Sequence, residues 1–164
     1  MKLDDKLYEE VEHDPIANKQ GLLIIALVSV AQAVGRALER VILGEPLGNI
    51  LLTGFVGFIE TVIGLAIWSY ILYFIGTKLF KGVATMQEVW RCTSFARSPG
   101  IFFIIPFIGP LVNIWITIAY LRGARIALDI SRGKTIIAAL VSAIPFLLMQ
   151  GLLVEYVLQP FLNV

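Results

Sequence analysis

Long apolar runs alternate with short polar ones along this chain. Met1–Gln20 is polar and net acidic, with Asp4, Asp5, Glu9, Glu10, Glu12 and Asp14 against Lys2, Lys6 and Lys19. It reads as a cytosolic arm, either a solvated tail or a tail with a helical turn over Leu3–Val11. Gly21–Leu43 is uniformly apolar over Leu22–Ala31, then carries Gln32, Arg36, Glu39 and Arg40 at spacings of three and four, on one helix face. Glu45–Asn49 is a turn by composition. Ile50–Thr77 is the longest apolar helix, about 42 Å at 1.5 Å per residue, longer than a ~30 Å hydrocarbon core. Gly54, Gly57, Thr61 and Gly64 form a small-residue stripe on it, the kind that lets helices approach closely in lipid. Thr85 and Glu88 predict a capping box opening an amphipathic helix through Val89, Trp90, Thr93 and Phe95.

From Ser98 to Leu121 no residue is charged. These 24 positions make either one span of about 20 residues or two short arms folded at Pro106, Gly109 and Pro110. Paired helix breakers favour the fold-back. Charge favours it too. With a hairpin there, Lys and Arg on the N-terminal side number eleven of 13, leaving only Arg36 and Arg40 opposite; a single span would split them seven to six. The positive-inside rule then places the N-terminus in the cytosol and the C-terminus outside. The arms look short for a full crossing, so the tip is either in thinned membrane or re-entrant.

The expected fold is therefore an all-α polytopic membrane bundle of one domain, with five membrane segments over 21–43, 50–77, 98–108, 110–128 and 135–157. Segments three and four form the Pro/Gly-tipped hairpin. The domain spans 21–158, after the acidic arm 1–20 and before a short outer tail 159–164. Composition agrees: 58% of residues are hydrophobic and 15% charged, with mean hydropathy +0.85, against about 45–50% and 25% in soluble proteins. Cys92 and His13 are each the only residue of their type, which excludes an internal disulfide and argues against a His/Cys zinc site. No hydrolase elbow, zincin or phosphate-loop motif occurs, so neither enzyme activity nor a cofactor or metal is expected.

Four ordered features resemble the Yip1-domain family of polytopic membrane proteins. They are Leu79–Val89 after the aromatic end of a long helix; Phe95-Ala96-Arg97-Ser98-Pro99; Ile114-Trp115-Ile116 followed by Leu121-Arg122-Gly123-Ala124-Arg125; and Ile130–Thr135 before the last helix. The likeness covers about Leu47–Phe146 and implies five membrane helices with a cytosolic N-terminus. Phe95 stands where the family usually has Tyr. The arm lacks the Asp-Leu-Tyr-Gly-Pro motif of the eukaryotic trafficking members, so their binding of Rab GTPases does not carry over. The short form is similar to the prokaryotic members.

Two groups of residues are candidates for function. Glu60 lies about 16 Å into the second helix, near the bilayer midplane. An acid there is costly and a functional hypothesis by default. Depth matches it with Gln32, Arg36 and Gln150, a polar cluster that is either a register tie, a proton or ion route, or a ligand contact. The second group is a cytosolic basic face: Lys78, Lys81, Arg91, Arg97, Arg122, Arg125, Arg132 and Lys134. It serves topology alone or contacts anionic lipid. Expected partners are the bilayer, anionic lipids and other membrane proteins or copies of itself. Nucleic acid is not expected, because the acidic arm shares that side. Three functions follow: a non-enzymatic membrane-organising or partner-binding scaffold, a small transporter or channel component using Glu60, or an accessory subunit of a larger membrane complex.

Overall fold

The computed structural model describes residues 5–44 and 50–152, with side chains at all of these except 50–57, 60 and 150. The turn at Glu45–Asn49 and the tail at 159–164 lie outside the described residues, as do the side chains of Glu60 and Gln150 and the surroundings of Gly54 and Gly57. The described chain is all-α. Its elements are α1 (Asp5–His13), α2 (Ala17–Leu43), α3 (Ile50–Lys78), α4 (Met86–Ala96), a 3-10 segment η1 (Ser98–Ile104), α5 (Gly109–Leu128) and α6 (Arg132–Leu152). Four helices, α2, α3, α5 and α6, are long and apolar enough to cross a membrane.

Three boundaries differ from expectation. The segment expected to be helical over 98–108 is 3-10 only through Ile104, followed by a turn in which Phe107 takes a positive φ of 66°. Pro110, expected at the tip, sits in the first turn of α5, where its missing N–H has no partner to lose. The arm is no solvated tail. Tyr8 and Val11, three apart on α1, are buried. Asp14 Oδ1 then accepts the Ile16 N–H at 2.8 Å, turning the chain at Asp14-Pro15 so that α2 starts at Ala17, four residues before the expected start at Gly21.

α2 packs on η1, η1 on α5, α5 on α6, α6 on α3, and α3 back on α2. The α2–η1 seam is close. Gly35 lies against the Phe103 carbonyl and Gly100 against Val28, and a side chain at either glycine would overlap them; Gly21 lies equally close to the Ser94 hydroxyl of α4. Farther along, the Phe107 N–H donates to Glu39 Oε1 at 2.7 Å. The 18 residues of α2 from Gly21 to Glu39 rise about 27 Å. The matching run from Ser94 to Phe107 joins the last turn of α4, the seven-residue 3-10 segment and a turn.

The packed core lies at one end of the bundle. Tyr8 of α1, Leu72 and Ile75 of α3, Val89, Cys92 and Ala96 of α4, and Ala124, Ala127 and Leu128 of α5 meet there. Thr85 caps α4: its Oγ1 accepts the Glu88 N–H and Glu88 Oε2 accepts the Thr85 N–H, the expected capping box. Asp129 ends α5 in the left-handed region, φ 51°, and the Leu128 carbonyl accepts the Val83 N–H at 3.1 Å. That bond ties the α3–α4 loop to the α5–α6 loop. Along the helices the outward side chains are apolar: Leu23, Leu27 and Val30 on α2, Leu111 and Ile114 on α5, Ile144, Leu147 and Leu148 on α6. Exposed apolar surface on this scale is the mark of a membrane-contacting face.

Candidate functional site

The basic residues do not form one face. Arg91 is 7% exposed. It donates from Nη1 to the Glu12 carbonyl, from Nε to Asn18 Oδ1 at 3.2 Å, and from Nη2 to Gln87 Oε1 at 3.2 Å. It therefore fastens α1 and the start of α2 to α4, and the expectation that it faces lipid is corrected. Arg125 pairs with Asp5 at 2.8 Å. Arg122 and Arg125 border a groove between α5 and α6 of about 290 Å³, with Arg132 on its other wall. Lys78, Lys81, Arg132 and Lys134 are exposed at the same end.

Arg97 goes elsewhere. It closes α4 and opens η1, and its side chain turns into the bundle, where it hydrogen-bonds Tyr120 of α5. There it borders a cavity of about 520 Å³ among α2, α3, α5 and α6. Gln32 and Arg36 border the same cavity from α2, and Thr61, Gly64 and Trp68 from α3. Half of the expected polar cluster is thus brought together, and so are two members of the small-residue stripe. Much of the remaining wall is apolar, including Leu65, Leu140 and Phe146. Trp68 meets Phe146 edge-on at 5.2 Å and Tyr120 at 6.5 Å.

Trp68 and Tyr120 carry no motif, and Arg97 was assigned to the surface loop with its neighbours. The available signal was position: Arg97 immediately precedes the uncharged stretch, so a long side chain there can reach along the bundle.

Two groups suited to nucleophilic or acid–base chemistry stand outside this cavity. Cys92 is buried under α1, and burial, more than nearby Glu12 and Glu88, pushes its thiol pKa up, which leaves it protonated and unreactive. His13 is exposed and hydrogen-bonds the Glu9 carbonyl at 2.9 Å; that bond, with Glu12 beside it, raises its pKa.

Apolar membrane-length helices, joined by a packed polar end, define a multi-pass α-helical membrane protein. Residues 12–154 match the Yip1 domain. The chain belongs to the Yip1 family. No curated protein and no solved structure matches it.

Proposed function

We propose that the chain crosses the membrane five times, with its α1–α4 end in the cytosol, and acts as a non-enzymatic scaffold that organises the membrane or holds partners within it. The Val83–Leu128 bond carries the reading: it joins the α3–α4 loop to the α5–α6 loop, so the chain between them turns back on itself. η1 and its turn run beside α2 from Val28 to Glu39, about 16 Å, roughly half the ~30 Å hydrocarbon thickness. The charge asymmetry supports the orientation, since among the described basic residues only Arg36 and Arg40 lie toward the other end. The side chains point away from catalysis: Cys92 is sealed and His13 is held in the surface arm. Exposed Lys78, Lys81, Arg132 and Lys134 would draw anionic lipid, at about 1 kcal/mol each.

Cysteine labelling tests the topology. In a Cys92→Ser background, Gly109→Cys is expected to react only from outside and Asp129→Cys only from the cytosol. Reaction of both from the same side would end the five-pass reading. The scaffold reading predicts that affinity purification from native membranes yields stable stoichiometric partners or oligomers. The cavity favours a second reading, a small transporter or channel component. Solute uptake by liposomes holding only this protein would put that reading first.

A further inference from the structure

The four buried side-chain polar atoms without a hydrogen-bond partner, among the described residues, are Ser29 Oγ, Trp68 Nε1, Arg97 Nε and Ser142 Oγ. Two of them, Trp68 Nε1 and Arg97 Nε, belong to residues lining the α2–α3–α5–α6 cavity. Both are donors that cannot accept. An unpaired buried donor costs about 1–3 kcal/mol, and such groups in native proteins call for an explanation. A cation cannot supply it; an oxygen acceptor can. Arg36 and Arg97 border the cavity, no acid does among the described residues, and neither arginine pairs with a described acid. Glu60 precedes Thr61 in the sequence, and even one carboxylate would leave a positive excess. Around these donors much of the wall is apolar, and the volume falls in the ~300–1,000 Å³ range of small-molecule sites.

We propose that this cavity binds an anionic amphiphile, its carboxylate or phosphate held by Arg97 and Arg36 and its hydrocarbon lying on Leu65, Leu140 and Phe146. A guanidinium suits an oxyanion because its fork of donors matches carboxylate and phosphate geometry. Trp68 Nε1 supplies a further donor, and Tyr120 holds Arg97 in place. The site goes beyond the scaffold reading and stands or falls independently of it.

Trp68 itself reports occupancy. The full chain carrying Trp90→Phe and Trp115→Phe keeps Trp68 as its only tryptophan and is placed in phosphatidylcholine nanodiscs. It is titrated with dibromostearic acid, whose bromines quench nearby indole, and with the methyl ester of the same acid. Quenching is expected to saturate with the acid and to need about tenfold more ester, since an unpaired charge forfeits at least that much. Arg97→Gln should weaken the acid about tenfold or more. Because Arg97 also holds Tyr120, two further variants guard against misfolding. Arg36→Gln removes the second charge, and Ala143→Phe fills the cavity with both arginines kept; each should weaken binding with the melting temperature unchanged. Equal quenching by acid and ester, or titrations that none of the three variants alters, would overturn the proposal and leave a cavity holding water or neutral lipid. Displacement of the acid by millimolar inorganic phosphate would overturn the amphiphile and assign the arginines to free oxyanions. Failure of phosphate to compete, with the acid still preferred over the ester, is the expected result.

Discussion

The two halves of this molecule treat buried polar groups in opposite ways. At the α1–α4 end they are matched, up to Arg97 where α4 gives way to η1. Arg91 makes three bonds, Ser69 Oγ and Thr93 Oγ1 lie 2.7 Å apart, and Ser94 Oγ donates to the Arg91 carbonyl at 2.9 Å. Among the described residues, the unpartnered buried side-chain atoms all sit on or beside the membrane helices: Ser29 on α2, Trp68 on α3, Arg97 at the start of η1 and Ser142 on α6. The first half is complete in itself, while the second is arranged around a space. Stability is therefore expected to reside in the first and adaptability in the second.

Substitutions can break that contrast. Tyr8→Ala removes a side chain only 1% exposed in the core and should cost about 3–5 kcal/mol, the range for large aromatics, read as a lowered thermal midpoint in nanodiscs. A much smaller loss would mean that α1 is not integral to that half. Gly35→Val forces a side chain into the Phe103 carbonyl. Overpacking should cost about 1–3 kcal/mol and loosen η1 from α2, seen as faster amide exchange over 98–107. A sharper pair compares hydroxyls. Thr93→Val leaves Ser69 unpartnered and should cost about 1–3 kcal/mol, whereas Ser142→Ala removes a hydroxyl with nothing to lose and should leave the midpoint level or raised. Equal losses from the two would erase the distinction between the halves. The smallest effect belongs to Asp5→Asn. Its pair with Arg125 is partly exposed, 43% and 30% by side chain, so screening by solvent holds it to about 0–1 kcal/mol, a loss that added salt should shrink further.

Much of the fold was legible because apolar runs and charge placement are one-dimensional signals. Leu22–Ala31, the uncharged stretch after Arg97 and the Thr85/Glu88 box each announced an element that the structure contains. The third segment was expected to be helical over 98–108. Pro99 opens a 3-10 segment, which advances about 2.0 Å per residue. The glycine that admits it, Gly35, lies on α2, a helix read for its polar positions, while the more frequent small residues of α3 drew the stripe assignment. The role of the arm was hidden for a different reason. Nine residues with five charges look solvated, and only a tertiary partner reveals that Tyr8 and Val11 form a sticky side. At the cavity, depth matching found Gln32 and Arg36 but could not find Arg97, whose side chain reaches in from a loop boundary.

Docking of α1 also sets an order of events during synthesis. Asp5 and Arg125 are 120 residues apart. A nine-residue segment is too short to hold a helix unaided, so the arm emerges first and waits for α4 and α5. At roughly 5–20 residues per second, that wait is about 6–24 s. During it the buried side of the arm is available to chaperones and insertion machinery, and its closure over Cys92 marks a bundle whose third long helix has left the ribosome.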